Sequence, residues 1–562
     1  MSKLGLGLGV PHYTFYPVTG PSPDAFVSIW NTANTSSGSS AINQVKLPLT
    51  SAGTYDFTVD WGDGNTNVIT AWNQTEVTHT YAASGTYTIT CTPNAPGQMK
   101  GFAFANTGDR LKFLDVVQFG GLQLVPTQGV TFMGCANFTG ASISDVLDTT
   151  GVTNMVRMYQ GCESYNGPVN FDTSSVTDMG YMFLLATNFN QPVNFNTSLV
   201  TSMTGMFQQA TNFNSSLSFS DTSSVTNMSF MFYFATNFNQ PVNFDTSSVT
   251  NMNQIFGNAT NFNQPVNFNT SLVTNMASMF HQASSFNQSV NFNTSSVTNM
   301  SRMFQQATNF NQPVNFDTSL VTNMSQMFQQ ATNFNSSITL SNTSSVTSMS
   351  HMFYLATSFN QPINFDTSSV TNMNRMFSAA TNFNQPVNFN TSSVTDMTYM
   401  FQQATNFNSA ITFTDTSSVT SMGGMFQQAI NFNQSVNFNT SSVTNMNYMF
   451  LSASSFNQPV NFNTSSVTFM SSMFQQATSF DQDISAWDID QVINFLNFMA
   501  SATLSTANYD ALLIAWAAQA PLNSTTSISF GGSKYTSTNP TVVNARNVLV
   551  AHFTTFADGG PV

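Results

Sequence analysis

Chemistry needs particular side chains gathered at particular spacings, and in this chain the candidates are few and scattered. The five His (His12, His79, His281, His351 and His552) are dispersed along 562 residues. No Gly-rich phosphate loop, paired-acid motif or nucleophile elbow accompanies them, so nothing assembles an active site. The abundant Ser and Thr occupy repeat positions with no base beside them, and no enzyme is expected. Asp60, Asp63 and His79 are the nearest approach to a metal set. No metal and no cofactor is expected.

Composition narrows the partners. Charged residues make up 6% of the chain, against about 25% in an average globular protein. Ten Lys and Arg face 24 Asp and Glu, a net charge of −14. Such a surface cannot neutralise phosphates or anionic lipid, so neither nucleic acid nor a membrane surface is an expected partner. The longest apolar run, 511–518, is far short of a membrane span, and no membrane insertion is expected. The stretch from Met1 to Pro11 carries one Lys and is too short and Gly-rich for a secretory signal, so no recognisable signal peptide or membrane anchor is expected. Three Cys do not make a disulfide framework.

The elements that hold the remaining candidates come from one repeat spanning 148–495. Its Val recurs at Val152, Val176, Val200, Val225, Val249, Val273, Val297, Val321, Val346, Val370, Val394, Val419, Val443, Val467 and, in degraded form, Val492. The step is 24 or 25 residues. The long steps end at Val225, Val346 and Val419, and their extra residue lies in the turn or strand, where a bulge is tolerated. From Val176, apolar Met179, Met182, Phe183 and Ala186 fall on one face of a short helix, with Thr173-Ser-Ser before it as N-cap chemistry. Phe189, Val193 and Phe195 then alternate as a brief strand. One unit cannot bury its own face, so the units must stack. The expected fold is an α/β solenoid of about 14–15 coils, each position forming a ladder of like residues.

Flanking segments complete five expected divisions. Residues 1–23 form an N-terminal segment, 24–97 an all-β sandwich of alternating strands, and 98–147 a lead-in to the solenoid at 148–495. Residues 496–562, with Tyr509-Asp-Ala-Leu-Leu-Ile-Ala-Trp516 and a helical 544–550, form a small C-terminal cap. Cys135 and Cys162 fall at the small-residue position of early coils, as buried thiols or as a disulfide between neighbours. Asp172, Asp221, Asp245, Asp317, Asp366 and Asp415 share a column with Asn196, Asn269 and Asn293, which dilutes carboxylate repulsion and keeps a turn-forming oxygen. Calcium bridging is the alternative for adjacent Asp.

Two resemblances add to this. Val59-Asp-Trp-Gly-Asp-Gly64 with His79-Thr-Tyr81 and Gly85-Thr-Tyr-Thr-Ile89 resembles the PKD domain of surface proteins, which implies that Asp60, Asp63 and His79 order turns and do not hold a metal. The unit Phe-Asp-Thr-Ser-Ser-Val-Thr-Asn-Met, clearest towards Phe480-Asp-Gln-Asp-Ile-Ser-Ala-Trp-Asp488, resembles the repeat of BspA-like leucine-rich-repeat surface proteins, also found in Mycoplasma-type lipoproteins and marine phage genomes. This implies a leucine-rich-repeat-like solenoid, surface attachment and an extracellular location on a virion or cell. The opening Gly5-Leu-Gly-Leu-Gly9 is similar to phage structural proteins.

Variation within the repeat points to the binding surface. Five residues after each Val the residue changes freely, and the candidates are Tyr181 with Leu184 and Leu185, Phe230 with Tyr233 and Phe234, Arg302, His351 with Tyr354, Arg375, Tyr399 and Tyr448. This stripe reads as a ligand surface or a lateral assembly face; packing on flanking domains and neutral drift are the alternatives. Three functions follow. One is a non-enzymatic adhesion or receptor-binding protein, whose partner is a protein or glycan on a host or neighbouring surface. Another is a structural virion or filament subunit, assembling with itself or other virion proteins. The third is ice or crystal-surface binding by the Thr-Ser-Ser arrays.

Overall fold

A computed structural model describes residues 20–562; the Gly-Leu-Gly opening and most of the 1–23 segment lie outside the described residues. Alternating apolar residues near the N-terminus form nine strands: β1 (Phe26–Asn31), β2 (Gln44–Lys46), β3 (Leu49–Tyr55), β4 (Phe57–Asp60), β5 (Thr66–Ile69), β6 (Thr78–Thr80), β7 (Thr86–Pro93), β8 (Met99–Phe102) and β9 (Phe113–Gln118). Five make an antiparallel sheet in the order β5-β4-β7-β1-β9, while β2 pairs with β6 and β3 with β8. β8 and β9 lie within 98–147, so part of the stretch read as solenoid lead-in belongs to this β unit.

Local chemistry fixes the unit. Asp60 and Asp63 accept the amides of Gly62 and Asn65 at 2.9 and 3.0 Å, and Asp63 meets His79 Nε2 at 2.8 Å while that imidazole stacks on Trp61. These residues are engaged in ordering the turn. Lys112, fully buried, donates to the carbonyls of Ser40, Ala41 and Gln44, each at 2.9 Å. Asp109 beside it accepts the amides of Ser40 and Lys46 at 2.7 Å, so one buried ion pair pins the loop ahead of β2.

The repeat winds once per copy, and its interior is built as the periodicity predicts. Phe183 and its equivalents through Phe474 stack coil on coil with ring centroids 5.4–5.7 Å apart. Phe189 through Phe480 form a second column at 5.7–6.0 Å. Each such ring pair adds about 0.5–1.5 kcal/mol to its area burial. The Val, both Met and the Ala of the unit are buried throughout.

The helical part of the expectation is overturned. The segment after each Val is a chain of turns in which amides alternate in role. Met182, Leu184 and Ala186 donate three residues back, closing turns on Met179, Tyr181 and Phe183. Met179, Tyr181, Phe183 and Leu185 donate instead to Ser202, Thr204, Met206 and Gln208 of the next coil. An α-helix would send every amide to its own fourth-previous carbonyl. A left-handed residue at every fourth place makes the difference: Tyr181 at φ 57° and Leu185 at φ 60°, and their equivalents in every coil. The fold is therefore a turn-built solenoid with little helix, not an α/β one. A ladder of single parallel bridges runs from Asn154 through Asp178 to Asn494.

The expected strand forms in only three pairs: β10 (Val193–Phe195) with β11 (Leu217–Phe219), β12 (Val314–Phe316) with β13 (Ile338–Leu340), and β14 (Val387–Phe389) with β15 (Ile411–Phe413). The second strand of each pair, β11, β13 or β15, lies in a long coil. The extra residue follows the strand directly as Ser220, Ser341 or Thr414, and its hydroxyl contacts Asn196, Asp317 or Asn390 of the coil before at 3.2 Å.

Polar ladders finish the walls. Asn190, Asn214, Asn239 and their equivalents each accept the backbone amide of the next coil's counterpart at 2.8–2.9 Å, an asparagine ladder that no spacing argument had singled out. The column of Asp172, Asp221 and Asp245 caps turns as expected, accepting the amide two residues on.

Both ends of the aromatic columns run into other aromatics. Phe132 stacks on Tyr159 at one end and meets Phe113 of β9. Phe498 meets Phe474 edge-on at the other, against Trp516. Trp516 belongs to α1 (Thr506–Ala517), which packs on α2 (Pro540–His552); β16 (Ile528–Ser529) and β17 (Phe556–Ala557) complete this part. Cys135 and Cys162 are buried free thiols, so the disulfide alternative is not realised, and Cys162 Sγ donates to the Phe132 carbonyl at 3.0 Å.

Candidate binding surface

The variable stripe is built on the left-handed residues. Five residues after the Val, every residue from Arg157 to Asn497 has positive φ, and nine residues after it the same holds from Gly161 to Ser501. A left-handed L-residue costs roughly 1–2 kcal/mol, and the inter-coil amide bonds offset it. Neither column contains a Val, Ile or Thr, although Thr is abundant elsewhere in the unit. The stripe varies within a backbone constraint that excludes β-branched side chains.

The structure gathers the candidates on one face in separate groups. Tyr181 and Leu184 are half-buried and Leu185 is exposed. Phe230, Tyr233 and Phe234 form an edge-to-face trio with centroids 5.6 and 4.7 Å apart. His351 meets Tyr354 at 5.6 Å and 90°. Arg375 lies over the Tyr399 ring, 4.8 Å from its centroid, and Arg157, which sequence reasoning passed over, lies over Tyr181 at 5.6 Å. Arg302 is tied to Gln326 by its Nε, and Tyr448 stands exposed. Glutamine ladders such as Gln305–Gln329 and Gln403–Gln428 separate the groups.

Two open grooves run along the solenoid. One of about 530 Å³, mainly apolar, runs between Leu355, Ala379, Gln403, Thr405 and Ile430. The other, about 540 Å³, follows Asn335, Asn360, Asn382, Asn384 and Asn406. Burial of the His351 imidazole, with Arg375 next to it, holds its pKa below the ordinary value, so it presents a neutral ring at pH 7. The Thr of the Thr-Ser-Ser arrays is buried in the coils, Thr173 at 3% and Thr197 at 0% exposed, and its hydroxyl donates to the next coil's backbone. Those threonines are therefore engaged between coils, whereas the Thr after each Val, such as Thr177, Thr201 and Thr226, is exposed.

Among the described residues, no helix is long and apolar enough to cross a membrane, and no group of three or more His, Cys, Asp or Glu is placed to hold a metal. No curated protein matches the chain. A family model described as "Mycoplasma protein of unknown function, DUF285" matches residues 129–243, 216–315, 241–339, 314–413 and 405–512, which together take in the whole solenoid. With the repeat, its turn geometry and its matches running over more than half of the sequence, the chain belongs to the DUF285 family of Mycoplasma-type repeat proteins.

Proposed function

We propose that this is a non-enzymatic attachment protein of a virion or cell exterior, whose solenoid displays the variable stripe to a receptor. The observation that carries the reading is where variation falls: interior and inter-coil ladders stay constant while the two left-handed columns and the residue before the second differ from coil to coil. Exposed aromatics on a surface with so little charge favour specific contact over nonspecific adsorption. In this reading the N-terminal β unit is a PKD-like module, the repeats are BspA-like and phage-encoded, and the C-terminal helices close the aromatic core. The test is attachment of labelled protein to host-cell envelopes. Tyr181→Ser, Phe230→Gln and Tyr448→Ser, which place residue types the column already holds, should reduce it together; unchanged attachment would remove the stripe from the function.

A second reading, a structural subunit packed side by side, draws on a different observation. Leu199, Leu272 and Leu320 replace a Ser just before the repeat Val and are 52%, 52% and 53% exposed, three apolar points spaced along another edge of the rod. Replacing all three with Ser should dissolve any assembly; a monomer at all concentrations before substitution would dismiss this reading.

A further inference from the structure

Three columns of the solenoid change together at only two places. Two residues after the repeat Val, Asp occurs only at Asp178 and Asp396 between Val152 and Val492; the other coils hold Asn, Ser or once Phe469. Both coils carry Tyr three residues later, Tyr181 and Tyr399. In both cases the coil before has Arg in the tyrosine's column (Arg157, Arg375) and the coil after has Gly (Gly205, Gly424). The geometry is shared as well. Each guanidinium lies over its Tyr ring, and a Cβ on either Gly would fall 2.5 or 2.3 Å from Tyr Cδ1, so each ring rests on glycine backbone. One oxygen of each Asp accepts an amide two residues on at 2.8 Å, and the other oxygen of Asp396 also accepts from Asn374 Nδ2 at 3.4 Å. Among the described residues, neither guanidinium and neither tyrosine hydroxyl has a hydrogen-bond partner in the protein.

A copied block does not account for the coincidence. The step from Val200 to Val225 contains an extra residue, but the step nine coils later, Val419 to Val443, does not; Val394 to Val419 has one where Val176 to Val200 has none. The constellation recurs while the coil lengths around it do not.

We propose that these are two equivalent saccharide-binding sites for a neutral, linear glycan. The proposal rests on the attachment reading and names its ligand class. Each site offers a guanidinium donor, a phenol and a carboxylate, without net charge from the Arg and Asp; the Ser202 and Ser421 hydroxyls of the next coil pair with Thr204 and Thr398 at 3.1 and 2.8 Å. An anionic ligand meets the Asp and a protein of charge −14, and a cationic one meets the Arg. An apolar peptide finds the ring covered on both faces. Neighbouring hydroxyls of a sugar instead pair with both a carboxylate acceptor and a guanidinium donor. Nine coils at about 4.8 Å put the sites roughly 43 Å apart, a span suited to a polymer, and simultaneous engagement raises apparent affinity about 10²- to 10⁴-fold.

The repeat supplies the controls. Arg157→Gln with Asp178→Asn disables one site, and Arg375→Gln with Asp396→Asn the other; Gln254, Gln326, Asn227 and Asn251 show that each coil accepts these residues. Full-length protein is run by affinity electrophoresis through gels containing dextran, mannan or galactan. Wild type should be retarded by at least one polysaccharide, either pair of substitutions should weaken retention at least about tenfold, and all four should remove it. Absence of retardation in all three gels, or equal retardation of the fourfold variant, overturns the proposal. Envelope binding separates the two readings. A fourfold variant that attaches like wild type sinks the saccharide sites alone; attachment abolished by protease treatment of the envelopes assigns a protein receptor and also sinks them. A wild type that attaches to no envelope sinks the attachment reading itself.

Discussion

If the left-handed columns are a backbone requirement, substitutions at Gln209 should follow φ rather than side-chain size. Gln209 has φ 58°, its amide donates to the Tyr233 carbonyl at 2.7 Å, and its half-buried side chain makes no hydrogen bond. Holding Gln there costs roughly 1–2 kcal/mol. Glycine removes that cost but loses about 0.5–1 kcal/mol through the greater freedom of its unfolded chain, so Gln209→Gly should gain about 0–1.5 kcal/mol. Gln209→Val places a β-branched residue where it is a genuine outlier and should lose roughly 1–3 kcal/mol. Gln208→Val, one residue earlier on the same face and outside the positive-φ set, should change stability by less than about 0.5 kcal/mol. Because repeat arrays unfold in parts, native-state hydrogen exchange of this and the adjoining coils is the right assay, alongside urea midpoints. Equal tolerance of Val at both positions, or a Gly variant weaker than wild type by about 1 kcal/mol, would refute the reasoning.

Three further outcomes follow from the packing. Asn263 accepts the Asn287 amide at 2.9 Å and Gln288 Nε2 at 3.1 Å, so Asn263→Ala should cost roughly 1–3 kcal/mol, read as faster exchange at Asn287 in preference to distant coils. Lys112→Met leaves Asp109 buried with its pair gone and should cost roughly 3–5 kcal/mol, seen as earlier thermal unfolding of the N-terminal β unit while the solenoid's transition stays put. Hydrogen bonds from the amide or hydroxyl of the serine two residues on hold the Asp221, Asp245, Asp317, Asp366 and Asp415 carboxyls below their ordinary pKa. Their stabilisation is complete above the unfolded-chain value near 4 and is lost as pH falls through the lower folded value. Replacing all five with Asn, the residue that other coils hold there, should move acid unfolding to lower pH with little change at pH 7, as followed by circular dichroism.

The interior was legible in the sequence because burial depends on spacing alone, and Met179, Met182, Phe183 and Ala186 were placed on the buried face whatever backbone carried them. The backbone was not legible by the same route. Offsets of three, six, seven and ten fit one face of a helix and fit equally a chain of short turns with every fourth residue left-handed. The distinguishing signal was an absence: no Val, Ile or Thr at Tyr181, Leu185 or their equivalents. Thr173-Ser-Ser resembled an N-cap because both uses need a hydroxyl beside free amides, yet here the hydroxyl bonds across coils. The asparagine ladder at Asn190 was passed over because it hardly varies, and the search for a site followed variation. That search found Tyr181, Arg375 and Tyr399 but not Gly205 and Gly424, each the flat ground on which a tyrosine lies.

The same arrangement explains how a surface can vary so widely without endangering the fold. Inter-coil bonds are made by backbone amides and by ladders that repeat in every coil, so one coil rests on the next through the same atoms wherever it stands in the rod. A change at the variable positions alters only its own rung and the two beside it, since each coil touches only its neighbours. The distance between two displayed sites is then set by the number of coils between them, in steps of about 4.8 Å. A scaffold of this kind tunes spacing by whole coils and chemistry by single residues, two adjustments that leave the aromatic columns and their two covered ends untouched.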